Sequence, residues 1–154
     1  MRHGFVRVKF AGPLKTMLRS IGLTKEQIEG DLKEAPTPLL CGKTPRHAMQ
    51  TLGTEWGRNL IGEHFWIRLW SETVADVLNP IIGAGGRVVV DDCRFENEAG
   101  AARRLGGLVV RLAGRSGVIG ASHSSELMNW VADLEIANDN TITALYGNLD
   151  ELVA

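Results

Sequence analysis

Apolar positions change period along this chain, and the changes mark its elements. Phe5 to Phe10 (FVRVKF) alternates apolar and polar residues, the two-residue period of a strand. Ala11-Gly12-Pro13 turns the chain into a helix over Leu14 to Ile21, stopped by Gly22. A short second helix, Thr24 to Gly30, has Thr24 as N-cap and Gln27 in the capping-box position. Asp31 to Lys43, with Pro36, Pro38 and Gly42, reads as loop. Thr44-Pro45 opens the longest periodic run, an N-cap followed by proline at the first helical position. That helix runs to about Leu78 with a break near Gly62, and Asn79-Pro80 stops it. Arg87 to Asp92 (RVVVDD) is a short strand with an apolar centre, the kind buried inside a parallel sheet. A helix over Asn97 to Leu105, a strand over Leu108 to Leu112 and a Gly/Ser-rich loop over Ala113 to Ser122 follow. His123 to Trp130 reads as helix, Leu134 to Ala137 as the last strand and Asn148 to Val153 as a closing helical turn. Strands alternating with helices predict α/β architecture with a largely parallel sheet, in one domain over residues 1–154.

The run from Thr44 separates into two stripes at helical spacing. Met49, Leu52, Trp56 and Leu60 form an apolar stripe suited to a core. Arg46, Gln50, Gly53 and Gly57 form the other. An Arg fork grips phosphate or carboxylate through two bonds, and an amide can pair with a base edge. Each glycine costs about 1 kcal/mol against Ala in a helix interior, so the pair needs a reason. One reason is a flat ligand lying close to the backbone; the other is close packing of a neighbouring helix.

Composition narrows the partners. With 44% hydrophobic and 23% charged residues, the 154-residue chain is of ordinary globular type. A net charge of -1 argues against a duplex-binding surface, but small anionic ligands need only a few local arginines. Cys41 and Cys93 have no metal-binding spacing, no apolar run reaches membrane-spanning length, and no signal-peptide pattern opens the chain. A cytoplasmic protein that engages no membrane is the expectation.

Chemistry is expected at strand ends, because ligands of open α/β sheets bind outside the carboxyl ends of the strands. Asp91, Asp92, Arg94 and Glu96 follow the VVV run. An apolar strand ending in Asp can hold Mg²⁺ at a phosphoryl-transfer site, which makes Asp91 and Asp92 the metal candidates and Asp92 a catalytic one. The plainer reading is a helix N-cap by Asp92 and a surface pair with Arg94. Arg115 lies in the glycine-rich loop, followed by His123, Ser125 and Glu126. A loop carrying an arginine can close as a lid that excludes water, or it can simply be solvated. Trp66 is a core candidate that could also stack on a base.

Together, FAGPLK (Phe10 to Lys15), GDLKE (Gly30 to Glu34), TPRHAMQTLGTEWGR (Thr44 to Arg58), FWIRLW (Phe65 to Trp70), VVVDDCRFENEA (Val88 to Ala99) and HSSE (His123 to Glu126) resemble the deoxynucleoside monophosphate kinases of bacteriophages and prophages. The resemblance runs nearly end to end. It implies a P-loop NTPase-like three-layer fold and transfer of the ATP γ-phosphate to a dNMP, with ATP and Mg²⁺ as cofactors. It places Arg46, Gln50, Trp66 and Arg94 at the dNMP, makes Arg94 and Arg115 catalytic, and makes residues 113–122 the lid. It gives His123 and Glu126 a shared motif without a role.

The family pattern opens with a strand, a Walker A loop and a helix, and no such run occurs here. Gly42-Lys43-Thr44 reads GKT, but Thr37 stands where the first glycine of the loop belongs, and a proline-rich loop precedes it. Relative to the family, a strand–loop–helix unit of about 20 to 30 residues is missing. ATP binding is therefore expected to be weak. The reading is a dNMP kinase-like chain retaining the monophosphate side; a non-catalytic nucleotide-binding remnant or an interaction module is the alternative. In the family sheet, the missing strand lies between those at Val88 to Val90 and Leu108 to Val110. Without it these two pair directly, borrow a strand, or leave open edges, and open edges favour a homo-oligomer.

Overall fold

The computed structural model describes residues 2–79, 86–114 and 130–153. The chain forms two compact units, one of Val6–Asp92 and one of Met1–Phe5 with Cys93–Ala154.

In the Val6–Asp92 unit, strand β1 (Phe5–Arg7) enters from the N-terminus and pairs with β2 (Arg87–Val89). The Val8 N–H continues that pairing with a 3.0 Å bond to the Val89 carbonyl. Helix α1 (Gly12–Ser20) starts two residues before the expected Leu14, with Pro13 in its first turn, and buries Leu14 and Leu18. Helix α2 (Lys25–Ile28) carries the expected capping box: Gln27 N–H donates to Thr24 Oγ1, and Thr24 N–H to Gln27 Oε1. The Asp31–Lys43 loop folds into two 3₁₀ turns, Asp31–Glu34 and Pro38–Leu40. Helix α3 (Pro45–Gln50) starts at Thr44, whose hydroxyl accepts the His47 N–H. The helix then widens into a π-helix over Thr51–Ile61, breaks at Gly62, and resumes as α4 (Phe65–Leu78).

The widening corrects the apolar stripe. Met49, Leu52 and Trp56 pack against Leu14, Leu18, Leu23, Ile28 and Trp66, but Leu60 is 76% exposed. An i→i+5 ladder holds more residues per turn than an α-helix. A stripe drawn at α-helical spacing therefore drifts off the core within the π segment.

In the other unit, α5 (Glu96–Arg104) buries Ala99 and Ala101, and β3 (Val110–Ala113) runs parallel to β4 (Leu134–Ala137) with Val110 opposite Leu134. The closing helix α6 (Ile142–Val153) starts six residues before the expected turn at Asn148. Thr141 accounts for the early start, because its hydroxyl accepts the Ala144 N–H as a cap.

Mixed α/β architecture with a parallel strand pair is present, but not one continuous sheet. Among the described residues the strands form two two-stranded sheets, β1–β2 and β3–β4. The expectation that the VVV strand is buried on both faces is therefore corrected. With a single partner strand, β2 leaves Val89 38% exposed. The predicted helix at His123 to Trp130 lies, but for Trp130, outside the described residues. Among the described residues no helix is long and apolar enough to cross a membrane.

Candidate functional site

The α3 face is the first half of the candidate site. Arg46 and Gln50 stand four residues apart on one helix, so their side chains leave the same face, and both are half-buried. The Arg46 guanidinium pairs with Glu34 in the 3₁₀ turn of the GDLKE segment. The guanidinium is thus engaged by a carboxylate of the protein itself.

The two glycines next along the stripe answer to packing. A Cβ on Gly57 would stand 2.3 Å from Trp66 Nε1, so the indole occupies the space that the glycine leaves. The same Nε1–H donates to the Gly53 carbonyl at 2.7 Å. Trp66 is 4% exposed, with Phe65 edge-on at 4.7 Å and Trp56 at 6.2 Å between ring centroids. Trp66, expected either in the core or as a stacking face for a base, is buried here, and the tryptophan braces the helical segment that continues from Arg46 and Gln50.

The aspartates at the end of β2 are likewise engaged by the protein itself. Asp92 accepts the backbone N–H groups of Phe10 and Ala11, one on each carboxylate oxygen, both at 3.0 Å. It therefore caps the turn into α1, where sequence reasoning had offered the helix that follows it. Phe10, so held, packs on Trp70 at 4.4 Å between ring centroids, and the Trp70 Nε1–H donates to the Val8 carbonyl. Asp91 faces two cations, Arg7 at 3.3 Å and Lys9 at 3.7 Å. Among the described residues no three His, Cys, Asp or Glu side chains are grouped to hold a metal ion. The donor set does not fit a protein-held Mg²⁺, since one carboxylate is committed to amides and the other to ammonium and guanidinium groups.

Arg94 belongs to the second unit, at an exposed position. Its main chain is held from both sides. Buried Glu98 accepts the N–H groups of Arg94 (2.8 Å) and Phe95 (3.1 Å), and the Trp130 Nε1–H donates to the Arg94 carbonyl at 3.1 Å. Arg115, most of the 113–122 loop, His123, Ser125 and Glu126 lie outside the described residues.

Sequence reasoning missed two carboxylates. Asp133 takes the Val109 N–H at 2.8 Å and the Arg103 Nε–H at 2.9 Å, tying the start of β3 to the turn before β4. The Val109 bond, aided by Arg103 and opposed by desolvation, holds its carboxyl below the ordinary range. Glu29 accepts from Lys15 Nζ at 2.9 Å, with Arg19 at 3.7 Å and Lys9 at 4.0 Å. Burial pushes its carboxyl up, but the Lys15 hydrogen bond and the charges of Lys15, Lys9 and Lys33 prevail and hold it below the usual value. The i, i+4 spacing of Lys15 and Arg19 was the available signal for this second cluster.

Two comparisons bear on these residues. A family model described as deoxynucleotide monophosphate kinase matches residues 43–149, a span that holds Arg46, Gln50, Trp66, Asp91, Asp92 and Arg94. A protein of Acanthamoeba polyphaga mimivirus, described as "Putative deoxynucleotide monophosphate kinase", is 32% identical over 167 residues, covering 96% of this chain and 82% of that protein.

Proposed function

The chain belongs to the deoxynucleotide monophosphate kinase family, and from that premise we propose that it binds a deoxynucleoside monophosphate on the α3 face. Arg46 takes the phosphate, and the Gln50 amide meets the base edge. The reaction is that of the family: the bond between the γ-phosphorus of ATP and its bridging oxygen breaks, ADP departs with that oxygen, and a new P–O bond forms to an oxygen of the dNMP phosphate. The observation that carries the reading is the Arg46–Glu34 pair, an arginine fork on a helix face already occupied by an anionic oxygen.

ATP and Mg²⁺ enter the proposal as the co-substrate and its accompanying cation. No Walker A run occurs in the sequence. Backbone N–H groups and the lysine of that loop normally cradle the ATP phosphates, and positioning supplies nearly all the catalysis of phosphoryl transfer. The proposal therefore expects a dNMP to bind more tightly than ATP, and turnover by this chain to be negligible.

Titration calorimetry with dGMP, dTMP and ATP tests the binding, and Arg46→Ala should weaken the preferred dNMP by about 1.5–3 kcal/mol. ATP binding tighter than every dNMP, or an Arg46→Ala protein of unchanged affinity, would overturn the assignment. A coupled assay for ADP release tests the turnover expectation, and robust turnover by the chain as given would overturn it.

A further inference from the structure

Residues 9–33 lie outside the matched span, and they hold the densest group of cations described in the Val6–Asp92 unit. Lys15 and Arg19 leave α1 one turn apart, and Lys9 comes from the end of β1; all three meet on Glu29, the residue that closes α2. Lys33, in the GDLKE turn, adds its charge to the same carboxylate. The Lys9 and Lys15 side chains are only 21% and 15% exposed. Lys9 also reaches Asp91 at 3.7 Å, which Arg7 shares.

Three cations, Lys9, Lys15 and Arg19, converge on one carboxylate, Glu29, and Lys9 is shared with Asp91. Like charges gathered at partly desolvated positions repel, and an ion-pair network built for stability alone would balance them. Lys9 links the cluster to Asp91, just past the end of β2. Asp92 holds the Phe10 and Ala11 amides there, which fixes the chain between Lys9 and Lys15.

We propose that Lys9, Lys15 and Arg19 form a phosphate-binding subsite in which Glu29 is the resting counter-ion, displaced when the phosphate group of a nucleotide arrives. A phosphate monoester offers up to two negative charges and three acceptor oxygens, which matches three cationic donors better than one carboxylate does. Arg19, 47% exposed, is the entry side. Glu29 is 30% exposed on the edge of a short helix and can swing out without opening the core.

The subsite does not depend on Arg46, and the experiment separates the two. Full-length parent, Glu29→Gln, Arg19→Gln and Arg46→Ala proteins are titrated with dGMP, ATP and pyrophosphate, and each variant's thermal melt is recorded. Removing the internal competitor should tighten at least one phosphate ligand about three- to tenfold in Glu29→Gln, and Arg19→Gln should weaken that ligand by a similar factor. A response confined to dGMP assigns the site to the monophosphate; one confined to ATP and pyrophosphate assigns it to a polyphosphate. Phosphate ligands that bind Arg19→Gln as they bind the parent would overturn the proposal, and Arg46→Ala would still report on the α3 face alone. A Glu29→Gln protein that melts lower and gains no affinity would reduce the cluster to a salt-bridge network. Should Glu29→Gln fail to fold, exposed Arg19 decides.

Discussion

The two units of this chain are held by different means. Val6–Asp92 buries large side chains: Phe10, Leu14, Leu18, Leu23, Ile28, Trp66, Ile67, Trp70 and Val74 all lie in its core. Among the described residues, the buried apolar side chains of the other unit are Ala99, Ala101, Val109 and Ile136. Carboxylates on backbone N–H groups serve both units, Glu98 under Arg94 and Asp133 under Val109 in this one, Asp92 under Phe10 and Ala11 in the other. Apolar burial is worth roughly 25 cal/mol per Å², whereas one hydrogen bond nets about 1 kcal/mol. The contrast therefore predicts which unit yields to which insult.

The largest effect should follow truncation in the aromatic core. Trp70→Ala removes a 2% exposed indole, its contact with Phe10 and its bond to the Val8 carbonyl, and should cost about 3–5 kcal/mol. Ile136→Val in the other unit should cost about 0.5–1.5 kcal/mol. Urea titrations of both variants read the difference directly. Equal losses would mean that apolar burial is not what distinguishes the units.

A smaller effect tests why the glycines are there. Gly57→Ala drives a methyl group into the Trp66 indole, 2.3 Å from Nε1, and should destabilise by about 1–3 kcal/mol. Gly53→Ala meets only Leu14 Cδ2 at 3.8 Å, an ordinary contact, and should be neutral or stabilising by up to about 1 kcal/mol. Thermal melts of the pair sharpen the assignment of this segment to packing. If Gly57→Ala is silent, Trp66 is not locked where the structure has it, and its role in bracing α3 fails.

Local chemistry made much of this legible. Thr24 with Gln27 and Thr44 with Pro45 announced two helix starts, and both caps form as read. Leu134 to Ala137 is the strand that alternation and flanking polar residues indicated. Residues whose partners are distant in sequence were not legible. Asp92 works on amides 82 and 81 positions earlier, and Asp133 works 24 positions away on Val109. A carboxylate after a strand looks the same in sequence whether it takes a metal or a backbone N–H. The π-helix escaped for a different reason. TLGTEWGRNLI carries helical apolar spacing, and the Trp66 indole that fills the space at Gly57 comes from beyond the break at Gly62.

The smallest effect comes from acid, and it probes the polar unit where truncation does not. Asp133 is held below its ordinary value, first by the Val109 N–H and then by Arg103. A carboxyl whose folded pKa lies below its unfolded one contributes stability that is fully present above the unfolded value, near about 4. That contribution fades as pH falls through the lower folded value, because protonation removes the charge that Val109 and Arg103 recognise. Glu29 titrates with the same sign in the other unit, so a simple acid melt of the parent mixes the two. Asp133→Asn separates them: the amide keeps an acceptor oxygen but cannot protonate. The variant should start less stable than the parent at pH 7 and lose less on going to pH 3. Its amide-exchange protection at Val109 and along β3 should fall, while that of α1 and α4 stays as in the parent. A carboxyl ¹³C titration of the parent checks the premise independently. An Asp133 pKa at or above the usual carboxylate range would leave the polar anchoring of this unit without its main support.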